Sequence, residues 1–246
     1  HQSAVAYGNG FMNGYKGTDL SGTGWGLKWD FIIVHESGHE WFGSNITSND
    51  IADMWVHEGL TDYTETLFVE CQSGKEAADE YTQGLRNTIR NDKPIIGPYG
   101  VNHEGSGDMY NKGNNLIHTI RQVINNDETF RKILRGLNQT YYHKTVNSKD
   151  IEAYFSKESG KDLSKIFDQY LRTTKIPVLE YKISGDKLLY HWTNCVDGFN
   201  MPVRLANDPN VWLNATTNWQ DMPVTGAVKD GLQIDKNFYI TEKKAE

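Results

Sequence analysis

Apolar residues recur at helical spacing through the middle of the chain. Leu116, Ile117, Ile120, Val123 and Ile124 fall three and four apart, as do Ile151, Tyr154 and Phe155, and then Leu163, Ile166, Phe167, Tyr170 and Leu171. Each set predicts a helix with a core-facing stripe. From residue 27 to about residue 173 the pattern is mostly helical, broken by Pro94 and Pro98, with Asn147-Ser148 as a helix start. The texture changes at Pro177: Val178, Tyr181 and Ile183 lead into Ser184-Gly185-Asp186 and then Leu188 to Trp192, which is hairpin grammar. Short runs near Val203, Val211 and Phe238 continue it. At the other end, Ala4-Val5-Ala6-Tyr7 predicts an edge strand ahead of a glycine-rich loop. The expected fold is α+β: a mostly helical domain over residues 1–175 with a short N-terminal strand region, then a small all-β domain over residues 176–246.

Composition narrows the function classes. With 25 Lys and Arg against 32 Asp and Glu, the 246-residue chain carries a net charge of −7 and lacks the basic footprint that nucleic acid requires. The Phe-Ile-Ile-Val run at residues 31–34 is far short of the roughly 20 apolar residues that span a bilayer. Two cysteines, Cys71 and Cys195, exclude a disulfide framework. Gly22-Thr23-Gly24-Trp25-Gly26 does not complete a dinucleotide-binding turn, because Leu27 stands where the last glycine belongs. The chain opens at His1 without an initiator Met or a leader-like pattern, which reads as a fragment or processed form, and neither compartment nor oligomeric state is written in it.

His35-Glu36-Ser37-Gly38-His39 is the residue pattern of zinc proteases. Flanked by the apolar run before it and Trp41-Phe42 after it, it reads as a buried helix. One turn separates the two histidines, which puts their Cβ atoms about 5–6 Å apart on one face, close enough to share a metal. Catalytic zinc takes three protein ligands and keeps a fourth position for water, so a third ligand has to come from elsewhere. Glu58 follows His39 after eighteen intervening residues, in a second helical pattern that returns past the first after a short loop at residues 43–50. An antiparallel return would bring it back to the two histidines as a His₂Glu set. His57 competes for the ligand role but points about 100° away from Glu58 on a helix. Asp62, one turn further on, is placed to orient a histidine ligand.

These residues resemble the aminopeptidase N-like and leukotriene A4 hydrolase-like zinc metallopeptidases, the gluzincin family. The likeness rests on His35-Glu36-x-x-His39-x-Trp41-Phe42-Gly43, the eighteen-residue interval, and Trp55-x-x-Glu58-Gly59. It implies one Zn²⁺ held by His35, His39 and Glu58, Glu36 as base, a thermolysin-like catalytic domain followed by a small β-sandwich, and a peptide substrate. It also implies that Tyr110, in Tyr110-Asn111-Lys112-Gly113, stabilises the oxyanion. Aligning residues 4–7 with the family strand that follows its amine-binding Gly-x-Met-Glu-Asn puts His1 on the motif's last position and the amine-binding Glu before residue 1. Aminopeptidase action is therefore expected of the intact protein, with a thermolysin-type endopeptidase and a non-catalytic peptide-binding scaffold as the alternatives.

Overall fold

Asp30 starts the first helix. Its carboxylate accepts the Ile33 N–H at 3.2 Å, one of the donors that a helix N-terminus leaves unpaired, and also the Asn9 amide and the Tyr7 hydroxyl. In the computed structural model, which describes residues 3–226, 228 and 231–245, helix α1 spans Phe31–Gly38. The chain then turns back through β1 (Ile46–Ser48) into the nineteen-residue α2 (Trp55–Ser73), followed by α3 (Lys75–Leu85). An irregular stretch containing Pro94 and Pro98 leads to α4 (Asn111–Ile124), α5 (Asp127–Thr140), β2 (Lys144–Val146), α6 (Ser148–Ser159) and α7 (Ser164–Arg172). The strands β3 (Val178–Ser184), β4 (Lys187–Thr193), β5 (Val203–Arg204), β6 (Trp212–Leu213), β7 (Gln220–Pro223) and β8 (Thr241–Lys244) complete the mixed helix-and-sheet architecture. Among the described residues, no helix is long and apolar enough to cross a membrane.

Several local expectations hold. Asn147 and Asp150 form a reciprocal capping box at the start of α6, as Asn147-Ser148 predicts. Strands β3 and β4 pair antiparallel with Ser184 opposite Lys187, closed by the two-residue turn Gly185-Asp186, with Gly185 at φ +62°. The sheet order is β7-β4-β3-β8, with β8 parallel to β3. Both cysteines are free.

Other expectations are corrected. Residues 4–7 belong to no strand; Val5 and Tyr7 are exposed, because no neighbouring strand among the described residues completes a ladder there. His1, on which the family alignment of that segment ends, lies outside the described residues. Helix α1 is partly rather than wholly buried: His35 and Gly38 are covered and Phe31 and Val34 pack against the Trp29–Tyr81 cluster, but Ile33 stands open, as does Trp41 beyond the helix end. The loop at residues 43–50 contains β1, which pairs in parallel with β2 almost 100 residues away, so a three-residue strand with so distant a partner carries no local signal. The stripe on α4 is buried as expected, but so is its polar face. Asn114 donates to Asp62 O, Asn115 to Thr82 O, and Arg121 makes a two-pronged pair with Glu70 at 2.6 and 3.0 Å, so the burial leaves these groups satisfied.

Helices α2 and α4 touch backbone to backbone. A Cβ on Gly113 would lie 2.8 Å from the Gly59 Cα, and one on Gly59 would lie 2.9 Å from Met109 O. The main core cluster spans both halves of the chain, from Trp55, Leu60 and Ile117 through Tyr170 to Leu179, Leu188 and Phe238. We expect Gly113→Ala to lower the unfolding free energy by about 1–3 kcal/mol through overpacking, despite the roughly 0.5–1 kcal/mol by which alanine favours a helix interior over glycine. Urea denaturation measures the sign, and a variant as stable as the parent would show that the two helices part without cost.

Candidate active site

His35 sits in the last turn of α1, and His39 caps that helix at φ −62° and ψ −16°. Their rings lie 4.8 Å apart, centroid to centroid, at 85°. Glu58, in the first turn of α2, brings its Oε2 to 3.3 Å from Nε2 of each histidine. A tetrahedral ion with ligand bonds of about 2.0–2.1 Å sets its ligand atoms roughly 3.3 Å apart, so this spacing suits a first-row divalent metal. Glu58 Oε2 is buried and has no hydrogen-bond partner among the described residues. An orphaned carboxylate oxygen between two imidazole nitrogens is a donor set that fits a divalent cation.

The far side of each ring is held. His35 Nδ1 lies 2.8 Å from Glu65 Oε1 and 3.5 Å from Asp62 Oδ1, and the Tyr81 hydroxyl donates to Glu65 Oε2 at 2.7 Å. Glu65, fully buried, is therefore the closer orienting carboxylate, and Asp62 stands second to it. Glu65 follows Glu58 by seven residues on the same helix, two turns away on one face, but nothing in the sequence ties it to His35. His39 Nδ1 lies 3.0 Å from Phe42 O and 3.2 Å from Thr61 Oγ1. With protons on both Nδ1 atoms, the two Nε2 lone pairs face the centre. Burial opposes charge on His35, but contacts with Asp62, Glu58 and Glu65 prevail and raise its pKa far above the usual imidazole range. Burial likewise opposes charge on Glu58, yet the two histidines pull its pKa down to about 2. Both shifts describe a pocket that demands a positive charge, whether a proton or a metal. His57 is engaged elsewhere: its Nε2 accepts the Ser48 N–H at 2.8 Å, and burial lowers its pKa, which favours Glu58 as the third donor.

Glu36 and Tyr110 join the three donor residues around an open cavity of about 460 Å³. Tyr110 stands at the N-terminus of α4, its ring centroid 5.9 Å from that of His35. Burial first, and the Glu58 charge second, raise its phenol pKa, so the hydroxyl remains a donor. Beneath it Lys112 is fully buried, its ammonium donating to Thr173 O at 2.9 Å, and burial lowers its pKa to about 8. A second cavity of about 520 Å³ continues from His35, Glu36 and Tyr110 toward Tyr15, Phe31 and Arg90.

A sequence profile of the peptidase family M1 domain matches residues 27–170. Curated relatives include an aminopeptidase M1 of Arabidopsis thaliana, 27% identical over 64% of this chain and 19% of its own length. Aminopeptidase N of Lactococcus lactis is 24% identical over 79% of this chain and 24% of its own length. Human glutamyl aminopeptidase is 22% identical over 84% and 23%. The chain thus spans a quarter or less of these relatives. Among solved structures, aminopeptidase A from Legionella pneumophila shares the fold with a TM-score of 0.57 at 20% identity, covering 88% of this chain and 25% of that one. An M1 zinc metallopeptidase from Deinococcus radiodurans gives 0.52 at 20% identity, covering 61% and 34%.

If Glu65 fixes the orientation of His35, Glu65→Gln weakens divalent-metal affinity by about 10- to 100-fold, read by competition with a chromogenic chelator. Unchanged affinity would reduce Glu65 to a packing residue.

Proposed function

The chain belongs to peptidase family M1, and from that premise we propose that it carries the catalytic centre of a zinc-dependent aminopeptidase. One observation carries the reading: His35 Nε2, His39 Nε2 and Glu58 Oε2 converge on one point while Glu36 and Tyr110 line the open side of the same cavity. The donor set suits Zn²⁺, with two imidazoles, one carboxylate and room for a fourth ligand. When bound, the ion supplies Lewis acidity and lowers the pKa of its water to about 7. Glu36 takes a proton from the attacking water and returns it to the leaving amine, which keeps one carboxylate as base and then acid. Tyr110 donates a hydrogen bond to the oxygen that gains charge as the carbonyl becomes tetrahedral. Glu65 and Tyr81 hold His35 in one tautomer throughout.

We read residues 1–175 as the thermolysin-like catalytic unit and residues 176–246 as a small β-sandwich that buttresses it. The change from helices to strands after α7 supports the division, and the Tyr170 hydroxyl, bonded to Tyr239 O, supports the buttressing role.

Glu36→Gln is expected to keep its zinc and lose about 10²- to 10⁴-fold in turnover, while Tyr110→Phe loses about 10²- to 10³-fold in kcat. Metal analysis beside a peptide-hydrolysis assay checks both. Turnover retained in Glu36→Gln removes Glu36 as base. Comparing a peptide with a free and an acetyl-blocked N-terminus in the full-length protein tests the exopeptidase step. Cleavage of the free form alone supports an aminopeptidase, equal cleavage an endopeptidase, and zinc binding without cleavage a scaffold.

A further inference from the structure

The cavity of about 520 Å³ beside the centre has a polarity the mechanism does not use. Its apolar wall is made by Tyr15, Leu20, Phe31 and Ile32, with the Tyr15 and Phe31 rings edge to face at 5.6 Å and Phe31 stacked on His35 at 5.4 Å. Among the described residues Arg90 is the one Lys or Arg lining it, and its guanidinium makes no ion pair or hydrogen bond with any of them. The Arg90 backbone, by contrast, is fixed. Asp108 accepts the Arg90 N–H at 2.9 Å through one oxygen and the Asn91 N–H at 2.6 Å through the other, two residues before Tyr110. The same two bonds, with Lys112 nearby, compensate the Asp108 charge, so Asp108 does not claim the guanidinium.

We propose that Arg90 is a specificity-determining residue: it selects peptides that present a carboxylate in this cavity, from an acidic side chain or from a nearby chain terminus. The inference rests on the peptidase reading above and adds the substrate class. A planar guanidinium matches a carboxylate with two parallel hydrogen bonds. The methylenes of a glutamate would lie along Phe31 and Ile32, with the carboxylate at the polar end. Because the cavity begins at His35, Glu36 and Tyr110, its occupant adjoins the scissile bond.

The test uses the zinc-loaded full-length protein with two peptide series that place Glu, Gln or Leu on either side of the scissile bond. In each, the C-terminus is a free acid or an amide. Glu is expected to exceed Gln, or acid to exceed amide, by about fivefold in kcat/KM, the size of a partly exposed ion pair. A preference between Glu and Gln assigns the carboxylate to the side chain, and one between acid and amide assigns it to the terminus; either supports the proposal. Arg90→Ala should bring that ratio to about one and Arg90→Glu should invert it, with melting temperatures checked beside the parent. Equal rates in both arms of the parent, or a preference that survives Arg90→Ala, overturn the proposal. Calorimetric binding of the same peptides separates it from the reading beneath it. Charge-dependent binding without cleavage would remove the peptidase function and keep the role of Arg90, whereas cleavage with no charge dependence in either readout would do the reverse.

Discussion

The contact between Gly59 and Gly113 is the constraint on which the site depends. Glu58 immediately precedes the first glycine and Tyr110 comes three residues before the second, so the distance between α2 and α4 sets the distance between the third donor and the phenol. Side chains at either position would hold the helices apart, and a shift of about 1 Å at a catalytic group is enough to cost orders of magnitude in rate. Glycine is disfavoured in helix interiors; here the close approach outweighs that preference. Gly38 serves the neighbouring contact, since a Cβ there would meet the Thr64 hydroxyl of α2 at 2.5 Å.

Around this frame the charges are arranged for a cation. Glu58, Asp62 and Glu65 all approach His35, and Asp62 Oδ2, like Glu58 Oε2, is buried without a hydrogen-bond partner among the described residues. Three carboxylates against one imidazole would repel one another in a low-dielectric interior without a positive charge between them. Burial raises the Glu65 pKa, with the Asp62 charge adding to it. A divalent ion relieves that repulsion, so the groups that would bind it also make the site costly without it. The sheet region contributes at one remove. Lys112 ties the start of α4 to Thr173 O, where the last helix gives way to strands, and Arg86 reaches Lys236 O. The floor beneath Tyr110 is thus anchored to the far end of the chain.

The local chemistry was legible because it is short-range. His35, Glu36 and His39 are set by one helical turn, Glu58 by an interval that a returning helix satisfies, and the capping box and Gly185-Asp186 turn by neighbouring residues. What stayed hidden required partners far along the chain. Glu65 is an unremarked acid until His35 is seen against it, the parallel pairing of β1 with β2 joins segments almost 100 residues apart, and residues 4–7 look like a strand but find no strand to pair with. The stripe on α4 marked one face as buried. Only packing covered the other, where Asn114, Asn115 and Arg121 are matched by groups on α2 and α3. The sequence by itself singled out side chains of the types that hold a metal and move a proton, because side-chain type and helical period carry that information. The tertiary structure decided which carboxylate orients which imidazole, how closely α2 and α4 approach, and which cation faces the second cavity, because each depends on distances between residues that the chain order leaves free.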